Sequence, residues 1–221
     1  MENIVFQFQI GGIVLKMNKA YDICIWKETT ECKQCTIKSE LICHFRRKYL
    51  FSFMGLFLIF AITAFIGVII AGYGWFLLGW IGFWLFFFEF WEIRILCSHC
   101  PFYAEEGRTL HCIANYSSLK IWKYHPEPMS TSEKIQLLVG FIILVGYPLI
   151  FLIIDGQLIF LIVTIIEITI FFSFLIAKRC GSCLNFSCPF NHVKKEVIDC
   201  FLKKNPVMRK AWEEKGYKIL E

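Results

Sequence analysis

A chain of 221 residues with 57% hydrophobic content, 24 Phe and 19% charged residues is too apolar for an ordinary soluble domain, since such domains average roughly 45–50% apolar. The net charge of +5 comes without a basic stripe interleaved with aromatics, so no nucleic-acid partner is expected. The apolar residues fall in long blocks, leaving about half the chain for soluble segments, enough for a compact cap and too little for a large catalytic domain.

In chain order, residues 4–18 carry two alternating runs around Gly11-Gly12, a hairpin signature. The acidic start, without a basic region or a small-residue cleavage site, does not resemble a signal peptide, and Met17 is an alternative first residue. Residues 1–49 form an N-terminal segment with a cysteine module. Residues 50–96 hold two apolar runs, Leu50 to Ala71 and Tyr73 to Leu96, turned by Gly72-Tyr73-Gly74. A cysteine-containing loop follows over 97–134. Ser130-Thr131-Ser132-Glu133 reads as a capping box for a third run, Ile135 to Ile154, and Asp155-Gly156-Gln157 turns the chain into a fourth, Leu158 to Ala177, completing a second hairpin over 135–177. Each run has the roughly 20 residues that cross a hydrocarbon core as a helix.

The tail, 178–221, places Val193, Val197, Ile198, Phe201 and Leu202 on one helical face, expected to dock on the protein itself or to lie on the membrane. A second short helix is expected from Pro206, with Asn205 as its N-cap. The predicted fold is therefore an all-α integral membrane protein. Four transmembrane helices, as two hairpins, carry a small Cys-rich, metal-stapled cap.

The 23 Lys and Arg fall in the three soluble segments or, as Arg94, in the last turn of the second span, and the two tight turns contain none. The positive-inside rule then places both termini and the central loop in the cytosol.

Eleven cysteines lie outside the spans. Nine form three groups, each a C-x-x-C pair with a third cysteine and a nearby histidine: Cys32, Cys35 and Cys43 with His44; Cys97, Cys100 and Cys112 with His111; Cys180, Cys183 and Cys188 with His192. Cys24 and Cys200 are left over. Two thiolates at this spacing bend round one ion from a single turn, and a tetrahedral metal takes two further ligands. If the second and fourth spans are neighbours, Cys97–Cys100 and Cys180–Cys183 emerge side by side. In a reducing cytosol disulfides are not expected, so zinc is the leading cofactor, with an iron–sulfur cluster or redox dithiols as alternatives.

Within the spans, Glu167 lies mid-membrane, either a functional carboxyl or one hydrogen-bonded within the bundle, for instance to Thr164. Glu89 lies nearer the cytosolic end, and Glu92 with Arg94 reads as an interfacial ion pair. Trp80, Trp84 and Trp91 share a face; Ala64, Gly67 and Ala71 permit close helix approach; Pro148 is expected to kink the third span.

No nucleotide-binding, hydrolase, metalloprotease or haem motif occurs. The expected function is a multi-pass membrane scaffold whose zinc-binding cap meets a protein partner at the cytosolic face. An electron-transfer or thiol-redox subunit is the alternative, and a membrane enzyme using Glu167 or Glu89 with a catalytic metal on a lipid or hydrophobic substrate ranks last.

Overall fold

The computed structural model describes residues 23–26, 35–112 and 114–220. The hairpin expected at 4–18, Met17 and Cys32 lie outside them. The described chain is mostly helical, with four helices long and apolar enough to cross a membrane. Helix α1 spans Arg47–Ile70. The second span comprises α2 (Phe76–Phe86), a π-helical turn (Phe87–Trp91) and α3 (Glu92–Ile95). Helices α4 (Thr131–Ile154) and α5 (Leu158–Lys178) make the second hairpin.

Local chemistry sets these ends. Gly72 and Gly156 turn the two hairpins at φ +82° and +70°, where a Cβ would be strained. Ser130 and Glu133 form the expected capping box: the Ser130 hydroxyl accepts from the Glu133 amide at 3.3 Å, and the Glu133 carboxylate accepts from the Ser130 amide at 2.8 Å.

Helix α4 runs unbroken through Pro148, which has no N–H to give the Leu144 carbonyl one turn earlier. The indole N–H of buried Trp80 supplies the missing bond at 2.8 Å. The shared tryptophan face is therefore packing, with Trp84 against Phe57 and Trp91 donating to Gln136. Ala64 is fully buried, and a Cβ on Gly67 would meet Leu152 Cδ2 at 2.8 Å, as expected of small residues at a close crossing. Isoleucines such as Ile59, Ile62, Ile142, Ile153 and Ile162 face outward from the bundle.

Three expectations need correction. Helix α5 packs on α1 and α4, whereas α2 and α3 pack on α4, so adjacency of the second and fourth spans is not what brings their cysteines together. The fold is not all-α: besides short 3-10 turns at Cys97–His99 and Pro101–Ala104, the 97–134 loop holds a small antiparallel hairpin, β1 (Thr109–His111) with β2 (Tyr116–Leu119). Asn205 precedes the helix begun by Pro206, yet its side chain does not cap it. Its carboxamide oxygen accepts from the Cys24 amide at 2.7 Å and its NH2 donates to the Phe201 carbonyl.

Beyond one end of the bundle the soluble segments share a core of their own. Tail helices α6 (Lys195–Lys204) and α7 (Pro206–Glu214) dock through Phe201, Leu202, Met208 and Trp212 onto Ile23, Phe102, Leu110 and Leu184. The amphipathic tail thus covers its own protein. A buried core of this extent holds the cap together by apolar packing.

Candidate metal centre

The end of each hairpin enters a cysteine knuckle, and the two knuckles share one backbone shape. After the second span, Leu96 (φ −114°, ψ −58°) leads into a tight turn at Cys97–His99 and an extended Cys100 (φ −86°, ψ 138°). After α5, Arg179 (φ −125°, ψ −48°) leads into the same turn at Cys180–Ser182 and an extended Cys183 (φ −81°, ψ 135°). Equivalent bonds close them: the His99 amide to the Leu96 carbonyl at 3.3 Å, and the Ser182 amide to the Arg179 carbonyl at 3.1 Å. A C-x-x-C pair at the end of a helix thus folds one way twice.

The knuckles meet because the segment after Cys183 folds across the end of the bundle. The Asn185 side chain donates to the Leu96 carbonyl at 2.8 Å, satisfying one of the acceptors a helix end leaves open. Six thiols, Cys97, Cys100, Cys112, Cys180, Cys183 and Cys188, line one largely apolar cavity of about 150 Å³. The sequence grouping into two separate modules therefore becomes a single ring. Among the described residues no three His, Cys, Asp or Glu side chains converge closely enough to hold a metal ion. The thiols surround the space rather than point at one centre.

Burial dominates their electrostatics. It pushes the Cys100 thiol well up, with the neighbouring Cys183 and Cys112 adding to the rise. Cys112 and Cys188 are each pushed up to about 12, mainly by burial, with Cys183 raising both. Cys183 is likewise raised by burial. Opposing this at Cys112, the Asn115 amide donates to its sulfur at 3.1 Å. The set is thus neutral and closely spaced, and a cation among the sulfurs is what would allow several to ionise together.

The remaining expected ligands are placed differently. His192 lies against the second knuckle: a Cβ on Gly181 would meet its Nε2 at 2.9 Å. His111 Nδ1 is 3.2 Å from a Glu105 carboxylate oxygen and its ring packs on Tyr116. Cys35 sits beside the Lys204 ammonium at 3.1 Å; Cys32, its partner in the C-x-x-C pair, lies outside the described residues. The N-terminal segment carrying Cys43 and His44 is tied to the second knuckle through the Ile42 amide and the Ser182 carbonyl, at 2.8 Å.

Glu92 is not paired with Arg94. It is buried and faces the thiol cavity, while Arg94 reaches Glu133 at 3.3 Å. Glu133 also receives buried His99, whose Nδ1 contacts the Glu127 carbonyl at 2.7 Å, and His125 contacts the Glu127 side chain at 2.8 Å. This bracket holds the first knuckle to the start of α4. Neither His99 nor His125 belongs to the sequence-derived ligand set, although His99 lies between the two cysteines of a C-x-x-C pair. Glu167 accepts a hydrogen bond from Thr63 of α1 at 2.9 Å rather than from Thr164, giving it a structural partner between two spans. No protein-family model, curated protein or solved structure matches the chain.

Proposed function

We propose that this chain is a polytopic membrane protein whose cytosolic cap binds a soft transition metal, zinc foremost, between its twin cysteine knuckles, and offers the cap as an interaction module to a protein partner. The observation that carries the reading is the ring of six thiols, drawn from the distant segments 97–112 and 180–188, around one cavity. Four thiolates from such a ring make a donor set of the kind zinc takes. Inward rotation of the cysteine side chains would close it on an ion, with His192 at its edge. The positive-inside distribution of Lys and Arg supports the cytosolic side, where thiols stay reduced.

A second reading draws on the size of the cavity. Its 150 Å³ is room for about five waters at roughly 30 Å³ each, more than one ion needs. That favours a polynuclear iron–sulfur group and an electron-transfer role.

Anaerobic purification of the full chain, with elemental analysis and an optical spectrum, separates the two. Near-integer zinc in a colourless protein, abolished by C183S and kept by C200S, is the expected result. Iron with bleachable visible absorption selects the second reading. Folded protein that carries neither metal and takes up neither overturns both.

A further inference from the structure

We propose that the groove between α1 and the second span, beside the cap, binds a membrane lipid with a primary-amine headgroup. The groove has a volume of about 440 Å³, within the range of small-molecule sites. Its walls are apolar and aromatic, from Phe53, Met54 and Phe57 on one side and Trp84 and Phe88 on the other, and its roof is the polar edge of β2 with Asn115. At roughly 30 Å³ per water-sized group, it admits a headgroup and the first part of one acyl chain.

Glu89 decides the chemistry. In a regular α-helix, residues three apart lie on neighbouring positions of one face. The wider π-helical turn Phe87–Trp91 separates Glu89 from Glu92, so that Glu92 faces the thiol cavity and Glu89 lines the groove. Such turns are frequent at functional sites. The Glu89 side chain accepts from the Ser118 hydroxyl at 3.1 Å. Among the described residues no Lys, Arg or His forms an ion pair with it. A carboxylate exposed on an apolar span is costly and calls for a cation.

Lipid is the occupant that brings both an apolar chain for the walls and a cation for the rim. A primary ammonium has three N–H donors for the Glu89 carboxylate and the Asn115 carbonyl oxygen. A choline headgroup has the charge without the donors, and an anionic headgroup is repelled.

The test places the purified full-length chain in nanodiscs doped with acyl-diazirine phosphatidylethanolamine, phosphatidylcholine or phosphatidylglycerol, and maps photolabelled peptides by mass spectrometry. The ethanolamine lipid is expected to label the 53–57 and 84–88 segments about fivefold over the choline lipid, the ratio set by about 1 kcal/mol. E89Q should reduce that ratio to near one. M54W, which fills the groove and keeps Glu89, should reduce labelling of these segments by all three lipids. Equal labelling by the ethanolamine and choline lipids, or a preference that survives E89Q, overturns the proposal. Should E89Q fail to fold, undiminished labelling of M54W overturns it independently. Labelling is read without reference to zinc content, so the outcome is distinguishable from that of the thiol-ring test even though Asn115 lines both cavities.

Discussion

Replacing Trp80 with Phe tests how the bundle tolerates a proline in its third span. The indole is fully buried and donates to the Leu144 carbonyl at 2.8 Å. That carbonyl is open because residue 148 is proline. Phenylalanine keeps most of the ring packing, including the edge-on contact with Phe60, but leaves the carbonyl without a donor in an apolar interior. An unmade bond of this kind costs about 1–3 kcal/mol, and the smaller ring adds roughly 1 kcal/mol of lost packing, about 3 kcal/mol together.

In a P148A background the new amide N–H satisfies Leu144 from within the helix, so only the packing loss remains. Thermal unfolding of the detergent-solubilised chain, read by a dye that reacts with buried thiols as they emerge, measures both. At roughly 2–4 °C per kcal/mol for a chain of this size, W80F should lower Tm by about 6–12 °C in the native background and by about 2–4 °C in P148A. Equal losses in the two backgrounds would refute the argument and reduce the indole to a space filler.

Other expectations follow from single contacts. A Cβ on Gly140 would run into the ring of Phe87, with Cδ2 at 2.8 Å, whereas one on Gly146 of the same helix meets nothing within 4 Å. G140A should therefore unfold at a lower temperature than G146A by the equivalent of about 2 kcal/mol of overpacking, and F87L should restore it; equal melting of the two alanine variants would contradict this. Asp199 is buried and accepts from Lys195 at 2.7 Å, Tyr217 at 2.8 Å and the Leu220 amide at 3.0 Å. Burial works against its ionised form, but these donors prevail and hold the carboxyl below its usual value. A lowered folded pKa gives stability above the unfolded value that is lost as pH falls. Hydrogen exchange at 215–220 should thus rise below about pH 4, and in D199N it should already be high at pH 7. Cys112 and Cys188, pushed up to about 12, carry the opposite sign. Chelator-treated protein should lose stability as pH climbs from about 9 towards 12, because the unfolded thiols ionise first. Zinc-loaded protein should instead tighten as pH rises towards 9, since fewer protons are displaced. A flat apo profile would show that these thiols are not buried as described.

The parts of this fold legible in sequence are those written over short distances. The spans follow from apolar run length, the start of α4 from Ser130 and Glu133, and the hairpin turns from Gly72 and Gly156. The identical form of the two knuckles follows from one spacing recurring after two helices. What could not be read depends on register between distant segments. Pro148 announces a missing donor, but that Trp80 supplies it needs the relative height of two spans. Asn205 before Pro206 has the composition of a cap, yet the amide of Cys24, far earlier in the chain, claims its oxygen. Glu92 and Arg94 are near neighbours in sequence, and the π-helical turn that sends Glu92 towards the thiols leaves no compositional mark.

The same distinction explains the thiol ring. Each C-x-x-C pair is a local object, and its shape depends on the few residues after a helix end. Bringing the pairs together is served by Asn185 crossing the end of the bundle to the Leu96 carbonyl, since α5 packs chiefly on α1 and α4. Fusion of the two modules is thus carried by a polar loop contact and a shared apolar core. A cap with that core does not need metal in order to fold, unlike a small zinc domain whose folding energy is the binding energy. If the proposed metal is bound, chelation should accordingly loosen the knuckles while α6 and α7 stay docked.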